Sequence, residues 1–92
     1  MAQVNLTRHL FSFFPQLEGL QIDVQATDVA GVIRALEMRA PGIGFYLCDE
    51  HGRLRPHVNI FIGNDIIRDR RQLSDAVSNG ARVSVLQALS GG

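Results

Sequence analysis

Gly19–Pro41 reads GLQIDVQATDVAGVIRALEMRAP, and a change of period inside this stretch decides the fold. Up to Val24 the apolar residues alternate. Leu20, Ile22 and Val24 point one way, and Gln21, Asp23 and Gln25 the other, which is the pattern of a strand with one buried face. Thr27 or Asp28 then supplies a helix cap. Beyond it Val29, Val32, Ile33 and Leu36 fall at i, i+3, i+4 and i+7, a single apolar stripe on a helix of period 3.6. Arg34 and Glu37 lie on the exposed side at the spacing of a weak ion pair. Gly31 costs about 1 kcal/mol inside a helix, which fits a close approach to a sheet. Pro41-Gly42 ends the helix.

Working outward, Val4, Leu6 and Leu10 predict a first strand, with Asn5, Thr7 and His9 on its other face. Phe11, Phe13 and Phe14 precede Pro15 without regular alternation, and are expected to pack over one edge of the core. Downstream, Ile43–Leu47 fits either a helical turn or a strand, and Asp49–Gly52 a turn. Val58, Ile60 and Ile62 alternate with Asn59 and Phe61 as a third strand. Gly63-Asn64-Asp65 turns the chain into a short strand at Ile66-Ile67. Arg68–Ser78 reads as a polar loop anchored by Leu73 and Val77. Asn79-Gly80 then leads into a last strand with Val83 and Val85 inward. The order predicts an α+β domain of the β-grasp (ubiquitin-like) type: a mixed four- to five-stranded sheet with one main helix packed across it. The domain is expected over residues 1–86 and a flexible tail over 87–92.

Composition narrows the function. Of 92 residues 46% are apolar and 20% charged, with nine basic and nine acidic side chains, as expected of one globular domain. Zero net charge argues against nucleic acid and anionic membrane as partners, since both need excess positive charge. All nine basic residues are arginine, so the chain has no side-chain amine through which it could itself be conjugated. Cys48 is the single cysteine; no internal disulfide can form, which suits a reducing compartment. No secretory pattern follows Met1, and no apolar run approaches the ~20 residues of a membrane span. A cytoplasmic protein is expected.

Gln87-Ala88-Leu89-Ser90-Gly91-Gly92 carries no strand or helix signal. Six extended residues reach about 20 Å, and glycine adopts backbone angles closed to other residues. Leu89, Ser90 and Gly91 can therefore thread a partner's active site and present the Gly92 carboxylate there. A carboxylate is a poor electrophile, and adenylation by ATP supplies the missing leaving group. A sulfur nucleophile can then displace the nucleotide and leave a thiocarboxylate at Gly92. Such a carrier needs no catalytic side chain. Two glycines end a chain by chance about once in 200 sequences, but here they directly follow the last strand of a β-grasp pattern.

The full length resembles the MoaD/ThiS family of sulfur carriers. Val58-Asn59-Ile60-Phe61-Ile62 is similar to the family's VNIYV strand, and Asp49-Glu50-His51-Gly52-Arg53-Leu54-Arg55 to its DEDGRLR approach. Asn79-Gly80-Ala81-Arg82-Val83 resembles the DGDEV turn, and Ala88-Leu89-Ser90-Gly91-Gly92 the AVAGG ending. Length and the insertion before the third strand resemble the longer, CysO-like members. The resemblance implies an E1-like adenylating enzyme of the MoeB/ThiF type that consumes ATP. It also implies a sulfur donor, such as a cysteine desulfurase or rhodanese, and a downstream sulfur-accepting synthase. The protein would be a co-substrate rather than an enzyme, with no permanently bound cofactor and no metal. Where the family carries acidic residues in its last turn, this chain has Asn79, Ala81 and Arg82, so the partner surface should differ.

Phe61 and Leu86 are expected to point away from the helix as a partner-docking patch, unless the Phe11–Phe14 stretch covers them. Cys48 reads as a small buried hydrophobe before it reads as a sulfur relay. His9, His51 and His57, with Asp49 and Glu50, lack the spacing of a metal site. The charged run Arg68–Arg71 reads as solvated loop surface. Gly42-Ile43-Gly44 lacks the setting of a phosphate-binding loop. The same tail chemistry also suits the small subunit of molybdopterin synthase, or a ubiquitin-like modifier joined through Gly92 to lysines of other proteins. A plain β-grasp interaction module with an inert tail is the alternative from another class.

Overall fold

The structure, a computed structural model, describes residues 1–87. Five strands form one mixed sheet: β1 (Ala2–Leu6), β2 (Ile22–Val24), β3 (Val58–Ile62), β4 (Asp65–Ile66) and β5 (Arg82–Gln87), in the spatial order β2-β1-β5-β3-β4. The first and last strands meet at the centre in parallel, with Val4 opposite Val83 and Leu6 opposite Val85. The other pairs are antiparallel. Helix α1 (Val29–Arg39) and the short helix α2 (Ile43–Leu47) cover one face. This is the β-grasp arrangement expected from the pattern.

The core lies between that face and the helices. Val29, Val32 and Leu36 of α1 are fully buried, as are Val58 and Ile60 of β3 and Val83 and Val85 of β5, with Leu73 and Val77 almost so. Asp28 caps α1, its carboxylate accepting from the Gly31 amide at 2.8 Å. The two amides before it, of Val29 and Ala30, donate to the carbonyls of Asp75 and Leu73. The loop after β4 thus supplies acceptors that a helix start lacks. Among the described residues no helix is long and apolar enough to cross a membrane.

Several expectations need correction. The first strand ends at Leu6. Leu10 belongs to a 3-10 turn, Arg8–Ser12, where it is fully buried in the core. Leu20 precedes β2 and is 62% exposed; alternation ran on past the strand, whose pairing with β1 spans only Ile22–Val24. The returning strand is Asp65–Ile66, and Ile67 turns into the core. Arg34 and Glu37 are not paired. The Glu37 carboxylate instead accepts from the amides of Gly42 and Gly44, at the start of α2, where donors are in excess. A Cβ on Gly31 would meet Ala26 and Asp28 at 3.1 Å, so that glycine makes room for the capping turn rather than for the sheet. The last strand continues through Gln87, one residue beyond the expected boundary of the domain.

Candidate functional site

Two surfaces meet where β5 ends. On the open face of the sheet, Phe61 of β3 lies opposite Ser84 of β5 and Ile66 of β4, and Asn59 lies opposite Leu86. Side chains two apart on a strand share a face, so Phe61, Ile66 and Leu86 form one apolar patch across three strands. Ile66 is 50% and Leu86 45% exposed; Phe61 is half-buried between them. The Phe11–Phe14 stretch does not cover this patch. Phe14 is buried in the core and Phe11 packs beside it. Phe13 and Phe14 meet the ring of Tyr46, with centroids 5.1 and 5.8 Å apart, on the helix side. Ile66 was not singled out from sequence because its neighbour Ile67 takes the inward place.

On the helix side, Gln87 faces the same way as Val58 and Val85. Its side-chain amide donates to the Tyr46 hydroxyl at 2.9 Å, and its backbone amide donates to Thr7 Oγ1 at 3.0 Å. Its partner Tyr46 lines a shallow depression with Phe45, Arg55 and His57. The Arg55 guanidinium sits 4.9 Å from the centre of the Phe45 ring, and its Nε donates to the Phe45 carbonyl.

Arg70 has a part that its charged run concealed. Its guanidinium donates to the carbonyls of Arg55 and Val58, both at 2.7 Å, and to Asn59 Oδ1 at 3.2 Å. It closes the turn that fixes where β3 begins. Asp69 beside it accepts from the backbone of Arg71, Gln72 and Ser74 and from the Ser74 hydroxyl. These donors, the Gln72 amide foremost, hold its carboxyl down to about 2. The only sequence signal for either role was the Asp-x-x-x-x-Ser spacing of a local capping turn.

Cys48 is buried beside α2. Burial, reinforced by the Asp49 charge, pushes its thiol up against the pull of Arg55, which makes it less of a thiolate at neutral pH. No cluster of metal-ligating side chains occurs among the described residues; His9 lies in the 3-10 turn after β1, and His51 and His57 in turns before β3. Leu89, Ser90, Gly91 and Gly92 lie outside the described residues.

The sequence pattern of the ThiS family matches residues 9–92. The chain belongs to the ThiS family. The match runs from the 3-10 turn after β1 to the last glycine, and places this protein among the ubiquitin-like sulfur carriers. Mycobacterium tuberculosis CysO is similar at 26% identity and a TM-score of 0.81, over 97% of this chain and all of that one. A chain of the Amycolatopsis orientalis BexX/CysO complex aligns over the whole of both chains, with a TM-score of 0.83 and 22% identity. Urm1 from Trypanosoma brucei shares the fold at a TM-score of 0.68 and 20% identity, over 99% of this chain and 94% of its own. No curated protein matches by sequence alone.

Proposed function

We propose that this ThiS-family protein carries sulfur as a thiocarboxylate on Gly92 and delivers it to a biosynthetic enzyme. The observation that carries the reading is the family match extending through Gly92, on a chain whose central strand β5 leads directly into that segment. An E1-like enzyme binds the open sheet face at Phe61, Ile66 and Leu86 and draws Leu89, Ser90 and Gly91 into its active site. The Gly92 carboxylate attacks the α-phosphorus of ATP and pyrophosphate leaves. Hydrosulfide attacks the acyl carbon and AMP leaves, giving the thiocarboxylate; where the nucleophile is the persulfide of a cysteine desulfurase or rhodanese, an acyl disulfide forms as AMP leaves, and a second thiol cleaves it, releasing the thiocarboxylate and forming a disulfide with the donor cysteine. The ATP and the sulfur source belong to the partners. This chain supplies the docking face, the exit point and the carboxylate. That CysO occurs in a complex with BexX supports a protein acceptor downstream.

The test is intact mass after incubation with ATP, a sulfur donor and the adenylating enzyme. The expected result is a gain equal to exchanging one oxygen for sulfur, present in the full chain and absent when Gly91-Gly92 is deleted. No gain with an enzyme shown to be active on another carrier overturns the reading.

A further inference from the structure

We propose that Thr7, Tyr46 and Gln87 form a clasp that fixes the root of the C-terminal segment, and that this positioning sets the rate at which the Gly92 carboxylate is activated. The inference rests on the carrier reading above.

Strand β5 outlasts its parallel neighbour β1. On one side Gln87, the last described residue, lies opposite Val58, where β3 begins. Before Val58 the chain turns, with the Val58 amide donating to the Arg55 carbonyl at 3.0 Å, and Pro56 has no amide to offer a further rung. On the other side the parallel ladder stops at Leu6 opposite Val85. A strand end that has lost a neighbour frays on that side, because its backbone groups exchange with water at little cost. Thr7 substitutes for the missing rung. Its amide and its hydroxyl both donate to the Val85 carbonyl at 3.1 Å, and the same hydroxyl oxygen accepts from the Gln87 amide at 3.0 Å.

The side chain of Gln87 gives an independent observation. Its neighbours on the inward face, Val58, Val83 and Val85, are all apolar and fully buried, so an apolar residue would be the ordinary choice here. Glutamine instead donates to the Tyr46 hydroxyl, while its other amide end, Oε1, is buried without a partner among the described residues. A buried unpaired acceptor is unfavourable. A position that breaks the core pattern at such a cost, next to the proposed working segment, is where a functional constraint is expected. Tyr46 is itself held by the rings of Phe13 and Phe14. The clasp therefore ties the strand end to α2 and to the 3-10 turn, on the face opposite the docking patch. A partner that grips Phe61 and Leu86 meets a chain that leaves the domain at one fixed point, and fixed geometry at the reacting group is worth rate.

The test uses Thr7→Val and Tyr46→Phe, which keep shape and remove the hydroxyls, with Thr7→Ser as the restoring variant. Backbone hydrogen exchange at Gln87 is measured by NMR, and steady-state ATP–pyrophosphate exchange is measured with the adenylating enzyme. Gln87 exchange should speed up at least about tenfold in Thr7→Val. In both variants kcat should fall about fivefold or more with KM within about twofold, because the docking patch is untouched. Thr7→Ser should restore both readouts. Unchanged kcat in both variants, with the wild type active, overturns the positioning role. Unchanged Gln87 exchange overturns the clasp itself. A wild-type chain that an active enzyme fails to adenylate sinks the carrier reading and the kinetic half of this inference with it.

Discussion

Arg70 stands in a run of charges that reads as solvated loop, yet its guanidinium ties together two carbonyls and an amide oxygen at the start of β3. A planar fork of donors suits that task and a single ammonium does not. Arg70→Ala is expected to lower unfolding stability by about 2 kcal/mol, and Arg70→Lys to recover less than half of the loss, as read from urea denaturation. Asp69 makes a second prediction at this scale. Its folded carboxyl is held down to about 2 against an ordinary 3.8, so the unfolded chain takes up the proton first. The stability it contributes is complete above about pH 4 and is lost as pH falls towards 2. Asp69→Asn should therefore be less stable than wild type at pH 7, and the gap should close across that window. Equal gaps at pH 7 and pH 2 would mean that the carboxylate charge is irrelevant. Arg70 was not legible in the sequence, because it acts on groups 11 to 15 residues away that the fold brings in, whereas Asp69 left only the local Asp-x-x-x-x-Ser spacing as a trace.

Elements were legible where a buried face repeats and illegible where a turn intervenes. The stripe of Val29, Val32, Ile33 and Leu36 is buried as its spacing requires, and Val83 and Val85 face the core. Leu10 and Leu20 misled because an apolar residue can end an alternating run without belonging to the strand. The join between the two helices depends on similar local detail. Gly42 precedes α2 at φ 101°, a left-handed conformation that costs a side chain about 1–2 kcal/mol. The Glu37 carboxylate reaches from α1 to accept from Gly42 and Gly44, and those amides, Gly42 first, draw its carboxyl below the ordinary carboxylate range. Gly42→Ala should lower stability by about 1–2 kcal/mol through the backbone alone. Glu37→Gln should destabilise without touching the core, and a double variant should show whether the two losses couple. Additive losses would place Gly42 strain and the Glu37 cap on independent footings.

At the scale of the whole molecule the sheet divides the protein into a side packed under helices and a side left open, and the end of β5 lies where both can be reached. The two outward residues Phe61 and Leu86 were legible in the sequence, while the tail chemistry proposed from it falls on residues outside the described ones. It could not supply Ile66, which depends on the pairing of β3 with β4, or the aromatic shelf of Phe13, Phe45 and Tyr46 on the other side. The two surfaces make different predictions. Leu86→Ser changes a side chain that is 45% exposed and should leave the melting temperature nearly unaltered, since exposed positions contribute little to stability. If the open face is the docking surface, it should weaken binding to the adenylating enzyme by about tenfold, or ~1.4 kcal/mol. Phe45→Ser on the helix side, where the ring is 65% exposed, should leave that affinity unchanged. With nine charges of each sign, long-range steering is weak, and the association rate should vary little between low and moderate salt. Titration calorimetry of the two variants separates the faces. Loss of affinity in Phe45→Ser alone would move the docking surface to the helix side, beside the Tyr46–Gln87 contact, and leave Phe61 and Leu86 as ordinary outward-facing strand residues.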